Sequence, residues 1–298
     1  MFPKTHADYL QTEKDVRIFY NSNFIPGKKK GNLPLIVFNY GLVCNFTHYS
    51  KQLPYFDKEG YPVIIHNYRA HFNSTGSVES YTFKNCASDI KKLIDHTGYK
   101  KVLMVGHSMG VNVTLEFARQ YPEYLLGMVL MSGSVFSPKN IMFNNGIMGK
   151  IIPYIEAFAH DYPDLYNRFW KNSYLNPLMK KIVHFGGFNT EIVSQDFVEH
   201  YMKRIGELPP ELFYHLLQQM HEHDVGKDLK KIKTKTLVVG GDKDMVIPFP
   251  FQLDLKNRLP NSELYIIKDG SHVPQLDFPD TLNERLSLFF KKQREREA

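Results

Sequence analysis

The sequence predicts an α/β protein: a mostly parallel β-sheet with helices on both faces and a helical insertion past its middle. Three observations predict it. Short, wholly apolar runs alternate with stretches of helical period. That alternation stops after Ser134 and resumes near Lys235. A glycine-flanked serine stands where an apolar run gives way to a helical one, at 106–110.

In chain order, Val16, Arg17, Ile18, Phe19 and Tyr20 alternate apolar with polar, as a half-exposed strand does. The runs at 35–38 and 63–65 are apolar throughout, the pattern of strands covered on both faces. Runs at 102–105, 128–131, 237–239 and 264–267 repeat it. Between them, 82–96 carries Phe83, Ile90, Leu93 and Ile94 at helical spacing, and 111–119 follows a strand directly. Near the end, 281–292 carries Leu282, Leu286 and Phe289 at i, i+4 and i+7. Strand alternating with helix is the signature of a parallel sheet wrapped on both sides. The interrupting stretch is helical in pattern, punctuated by Pro153, Pro163, Pro177 and Pro209-Pro210, and holds the single tryptophan, Trp170. The expected division is a core of 1–134 and 227–298, with 135–226 inserted.

Composition narrows the function classes. Of 298 residues, 43% are hydrophobic, 14% aromatic and 23% charged, which suits a large core and excludes disorder, collagen and coiled coil. The longest apolar candidate, 124–136, is broken by Gly127, Ser132, Gly133 and Ser134 and is too short to span a bilayer. No integral membrane segment is expected, and the first residues carry no apolar signal core. The net charge of +6 is spread out. Its densest pieces, Lys28-Lys29-Lys30 and 291–296, read as a solvated turn and a fraying helix end, so no nucleic-acid partner is expected. Two cysteines, Cys44 and Cys86, exclude a disulfide framework. Free thiols point to a reducing, cytoplasmic setting.

The chemistry sits in Gly106-His107-Ser108-Met109-Gly110. In a G-x-S-x-G elbow the serine occupies a tight, strained strand-to-helix turn. Residues two before and two after are pressed together, so both must be small. The hydroxyl is then exposed, with a helix N-terminus behind it to favour negative charge. Such a serine needs a base, and the base needs an orienting carboxylate. After the strand at 237–239 come Gly240-Gly241-Asp242-Lys243-Asp244 and then Pro248; after 264–267 come Asp269-Gly270-Ser271-His272. Both segments follow the C-terminal end of a strand, the edge where the elbow lies, so the three groups can converge.

With these motifs the chain resembles the α/β-hydrolase-fold serine hydrolases of the lipase and esterase type, over nearly its whole length. The resemblance puts the nucleophile at Ser108, the acid at Asp244 rather than Asp242, by its distance to Pro248, and the base at His272. It puts the 135–226 stretch in the place of the family's cap domain. It implies an oxyanion hole from the Leu42 and Met109 backbone N–H groups, although the family's His-Gly is here Tyr40-Gly41. The segment from Tyr68 to Ser74 is similar to the family's R-G-x-G-x-S loop with both glycines replaced, by Ala70 and Phe72, and is expected to be structural. His107 should shape the turn. His221-Glu222-His223-Asp224 lacks proper metal spacing and reads as a solvated helix end. No nucleotide-binding glycine motif occurs, so neither cofactor nor metal is expected.

The implied reaction is cleavage of a carboxylic ester with an apolar acyl or alkyl group, on a small-molecule substrate, through an acyl-enzyme. Amide and carbon–carbon hydrolysis use the same triad and stay open, as does a hydrolase-fold receptor that only binds its ligand. The physiological substrate and the oligomeric state are left open.

Overall fold

The structure, a computed structural model, describes residues 6–28, 30–42, 44–136, 154, 157–159, 161–189 and 191–296. Eight strands form one sheet: β1 (His6–Glu13), β2 (Val16–Ser22), β3 (Leu35–Asn39), β4 (Val63–His66), β5 (Val102–His107), β6 (Leu125–Met131), β7 (Thr236–Gly241) and β8 (Ser262–Ile267). Their order across the sheet is β1-β2-β4-β3-β5-β6-β7-β8. β2 pairs antiparallel with both β1 and β4, and every later pairing is parallel. The continuous apolar runs are the central strands: all residues of β3, β4 and β5 are buried. β1 is not foreshadowed, because its residues HADYLQTE are polar and mostly solvent-facing, as suits an edge strand.

Helices in chain order are α1 (Gln52–Lys58), α2 (Phe83–Thr97), α3 (Met109–Gln120), α4 (Pro163–Lys171), α5 (Pro177–Gly187), α6 (Gln195–Ile205), α7 (Pro210–Glu222), α8 (Phe249–Arg258), α9 (Pro274–Asp277) and α10 (Pro279–Glu295). α2, α3 and α10 fall where helical periodicity predicts them. Thr82 caps α2 by accepting from the Asn85 N–H at 3.0 Å, and Gly98 ends it in a left-handed conformation. Among the described residues four helices, α4 to α7, lie between β6 and β7 in the stretch where the strand pattern lapses. The first part of that stretch, including Pro153, lies outside the described residues, as do Lys29 and Glu297.

The core brackets the sheet, with Phe38, Phe56, Phe117, Phe289 and Phe290 among its largest wholly buried side chains. A smaller cluster of Phe188, Val193, Val198 and Met202 from the inserted stretch closes on Val273. Cys44 and Cys86 are buried free thiols. No helix among the described residues is long and apolar enough to cross a membrane.

Candidate active site

β5 runs straight into α3, and Ser108 is the corner. Its φ of 53° and ψ of −122° lie in a region that costs a non-glycine residue free energy, and the surrounding contacts hold it there. The Ser108 N–H donates to the Met131 carbonyl at 2.9 Å, and the Ser108 carbonyl accepts from Val111. The flanking glycines are forced by contact. A Cβ on Gly106 would stand 2.5 Å from the Gly110 carbonyl oxygen, and one on Gly110 would stand 2.3 Å from the Asn39 carbonyl oxygen. The elbow therefore closes on itself and also abuts the end of β3.

His272 lies in the loop after β8 and Asp244 in the loop after β7. Ser108 Oγ is 3.0 Å from His272 Nε2, and His272 Nδ1 is 3.0 Å from Asp244 Oδ2. Asp244 is buried, and its Oδ1 also accepts from the Val246 and Ile247 N–H groups at 2.9 and 2.8 Å. A carboxylate only accepts, so beside Asp244 the His272 Nδ1 carries the proton and Nε2 accepts from the serine. Asp242 is exposed and takes no part. The two loops can touch because both carry glycine: a Cβ on Gly241 would stand 2.0 Å from the Gly270 carbonyl oxygen.

The loop after β3 passes over the nucleophile. A Cβ on Gly41 would lie 2.9 Å from Ser108 Cβ, so only glycine fits there. Leu42 follows it, and Met109 begins α3, where the leading N–H groups have no intrahelical acceptor. Tyr40 gives the loop its own brace. Its hydroxyl accepts from the Tyr68 N–H at 3.1 Å, and the Tyr68 hydroxyl donates to the Tyr40 carbonyl at 2.9 Å.

Comparison with known proteins agrees with the fold. A family described as alpha/beta hydrolase fold matches residues 34–149. The chain is similar to the bifunctional esterase/perhydrolase DCH of Acinetobacter calcoaceticus, at 23% identity over 95% of this chain and 99% of that protein. It is also similar to the 2-hydroxy-6-oxononadienedioate/2-hydroxy-6-oxononatrienedioate hydrolase of Escherichia coli (strain K12), at 24% identity over 83% and 82%. Among solved structures, the esterase EaEST from Exiguobacterium antarcticum superposes with a TM-score of 0.77 at 19% identity, covering 96% of this chain and all of that one. The chain is a hydrolase of the α/β-hydrolase fold.

In this hydrolase the 68–74 loop is a brace. Arg69 is wholly buried and grips Asp89 through two hydrogen bonds of 2.8 and 2.9 Å, with Glu13 at 2.9 Å. Ala70 and Phe72, standing where the family has glycine, keep the positive φ that glycine would serve, at 60° and 48°. The reading of 221–224 as a solvated helix end needs correction at one residue. His223 turns inward, 3.1 Å from both Asn112 Nδ2 and Glu116 Oε2 on α3, because the α7 terminus docks on that helix. No group of metal-ligating side chains assembles among the described residues. Trp170 packs on Phe213 and donates to the Leu208 carbonyl at 2.9 Å, within the inserted stretch.

Sequence reasoning missed several residues of the hydrolase site. His48 stacks 6.2 Å from His107 and meets the Phe197 and Tyr201 rings of α6. Burial pushes His48 down to about 3 and His107 well below the ordinary histidine range, with the nearby His272 adding to both. Asp277 Oδ2 accepts from the Ser271 N–H at 2.6 Å, one residue before the histidine, and burial raises its carboxyl. Asn189 Nδ2, from the inserted stretch, donates to the Asp269 carbonyl at 2.9 Å. Only Asp277 leaves a trace in the sequence, an acid closely following His272, and it is indistinguishable there from a residue leading a helix.

Proposed function

We propose that this hydrolase cleaves carboxylic esters through an acyl-enzyme on Ser108. The observation that carries the reading is the hydrogen-bonded chain Ser108 Oγ–His272–Asp244, closed at 3.0 Å on both sides of the imidazole. Ser108 attacks the carbonyl carbon while His272 takes its proton. Asp244 holds the tautomer and stabilises the imidazolium. The N–H groups of Leu42 and Met109 donate to the oxyanion. His272 then protonates the leaving alkoxide, and water, activated by the same imidazole, releases the acid.

The esterase named among the relatives supports an ester substrate. The oxo-dienedioate hydrolase supports a second reading, hydrolysis of a carbon–carbon bond beside a ketone by the same residues. The 135–226 stretch is proposed as a cap that chooses the substrate: its apolar cluster closes on Val273, next to the base. The buried thiols suit a cytoplasmic setting.

A hydrolysis screen over p-nitrophenyl esters of rising chain length, with an amide and a diketone included, tests the reading. Each added CH₂ that is buried is worth about 0.8 kcal/mol, or roughly fourfold in binding. kcat/KM should climb over a few carbons and then fall as the pocket fills. A fluorophosphonate should label the wild type and not Ser108→Ala. Full turnover by Ser108→Ala would end the proposal, and turnover of the diketone alone would select the carbon–carbon reading. Labelling without turnover of any substrate would favour a ligand-binding receptor.

A further inference from the structure

His107 is the last residue of β5, one peptide from the nucleophile, and its ring is buried. Its Nε2 lies 2.8 Å from the backbone carbonyl oxygen of His272. A carbonyl only accepts, so this ring nitrogen carries the proton. The other, Nδ1, has no hydrogen-bond partner among the described residues and faces Gly41, where a Cβ would come within 3.3 Å. An unpartnered buried nitrogen is destabilising, and an apolar side chain at 107 would avoid that cost. The single bond to His272 is what the imidazole gives in return.

That bond closes a ring of contacts. Ser108 follows His107 in the chain, Ser108 Oγ meets His272 Nε2 at 3.0 Å, and the His272 carbonyl returns to His107. Nucleophile and base are thus tied by their side chains and, independently, through the His107 ring, which joins the backbone beside Ser108 to the His272 carbonyl. The far side of the same loop is fixed by Asp277, through the Ser271 N–H. We propose that His107 is a positioning residue whose Nε2–H, by holding the His272 peptide, sets the distance between nucleophile and base. The inference rests on the serine-hydrolase reading above.

The ring also has to stay neutral. Its centroid is 5.1 Å from that of His272, so a charge on it would oppose the imidazolium that forms as Ser108 attacks. Burial above all makes protonation unfavourable, with His272 on one side and His48 stacked on the other adding to it, and among the described residues no carboxylate is bonded to either of its nitrogens.

Two substitutions separate the hydrogen bond from the bulk. In His107→Gln the amide nitrogen reaches the place of Nε2 and can still donate, whereas His107→Leu fills the space without a donor. Loss of about an ångström of alignment costs up to roughly a hundredfold in rate. The expected result is a fall in kcat of about ten- to a hundredfold in His107→Leu, with KM within about threefold. The rate of fluorophosphonate labelling should fall in parallel, and His107→Gln should recover most of both. Circular dichroism and melting curves establish that each variant is folded. If His107→Leu does not fold, His107→Asn replaces it, because its shorter amide falls short of the carbonyl. Gln should then exceed Asn in kcat. Equal rates in Gln and Leu (or in Gln and Asn), or unchanged kcat in His107→Leu, would overturn the proposal. Absence of labelling in the wild type would instead overturn the serine-hydrolase reading beneath it.

Discussion

The substitution His71→Phe should make the protein less sensitive to acid. His71 is wholly buried in the loop after β4, among the rings of Tyr40, Tyr68 and Tyr81. Its Nδ1–H donates to the Arg69 carbonyl at 3.0 Å, and burial pushes the imidazole down from 6.5 to about 4. Because the folded value is depressed, the folded chain keeps this ring neutral where the unfolded chain protonates it. The associated stability is fully present above pH 6.5 and is lost as pH falls toward 4. At pH 5 the unfolded ring is mostly charged and the folded ring mostly neutral. The loss there is about 1.4 kcal/mol for each of the 1.5 pH units below 6.5, or about 2 kcal/mol. That is a large share of a net stability of about 5–15 kcal/mol. The phenylalanine variant gives up the bond to Arg69 and should start less stable at pH 7, but this one ionisation is gone. Urea unfolding at pH 7, 6 and 5 measures both. Between pH 7 and 5 the wild type should lose about 2 kcal/mol more than the variant. His48 and His107, depressed in the same direction, act equally in both proteins and cancel in the comparison, and His66, depressed mainly by burial, cancels apart from the small part that His71 adds. Parallel stability curves would refute the assignment of a neutral, buried His71.

Three further outcomes are expected. Asp244→Asn should lower kcat by about 10³–10⁴, since an amide favours the wrong imidazole tautomer, whereas Asp242→Asn, at an exposed position, should change kcat little; the reverse order in steady-state assays would move the acid. Gly41→Ala puts a methyl 2.9 Å from Ser108 Cβ and should cut fluorophosphonate labelling by at least about tenfold while the chain stays folded; unchanged labelling would mean the loop yields freely. Ala70→Gly relieves a φ of 60° and should raise stability by about 1 kcal/mol in urea unfolding, and a loss would show that Ala70 is not strained.

Much of the site is legible before folding because its constraints are local. Gly106 answers a contact with a residue four further on, although Gly110 answers the end of β3, and the spacing from Asp244 to Pro248 belongs to one turn. The apolar runs of β3 to β7 are equally plain, since a strand covered on both faces has no polar side to show. β1 is hidden for the opposite reason: a polar edge strand shares its composition with a loop. α1 and α8 also lack a pattern strong enough to announce them, and tertiary contacts hold both in place.

What the sequence by itself determines is therefore the alternation of strand and helix, the elbow at Ser108, and the two strand ends that carry Asp244 and His272. The tertiary structure alone decides the rest. His107 meets a carbonyl 165 residues further along the chain. Asp277 finds the Ser271 N–H across a turn, and Tyr201 of the inserted stretch meets His48 beside the nucleophile. His223 leaves the solvent for α3. Periodicity and steric limits act over a few residues and leave their mark in composition. A hydrogen bond between distant loops asks only for one donor and one acceptor, which nearly any sequence offers, and only packing brings the two within 3 Å.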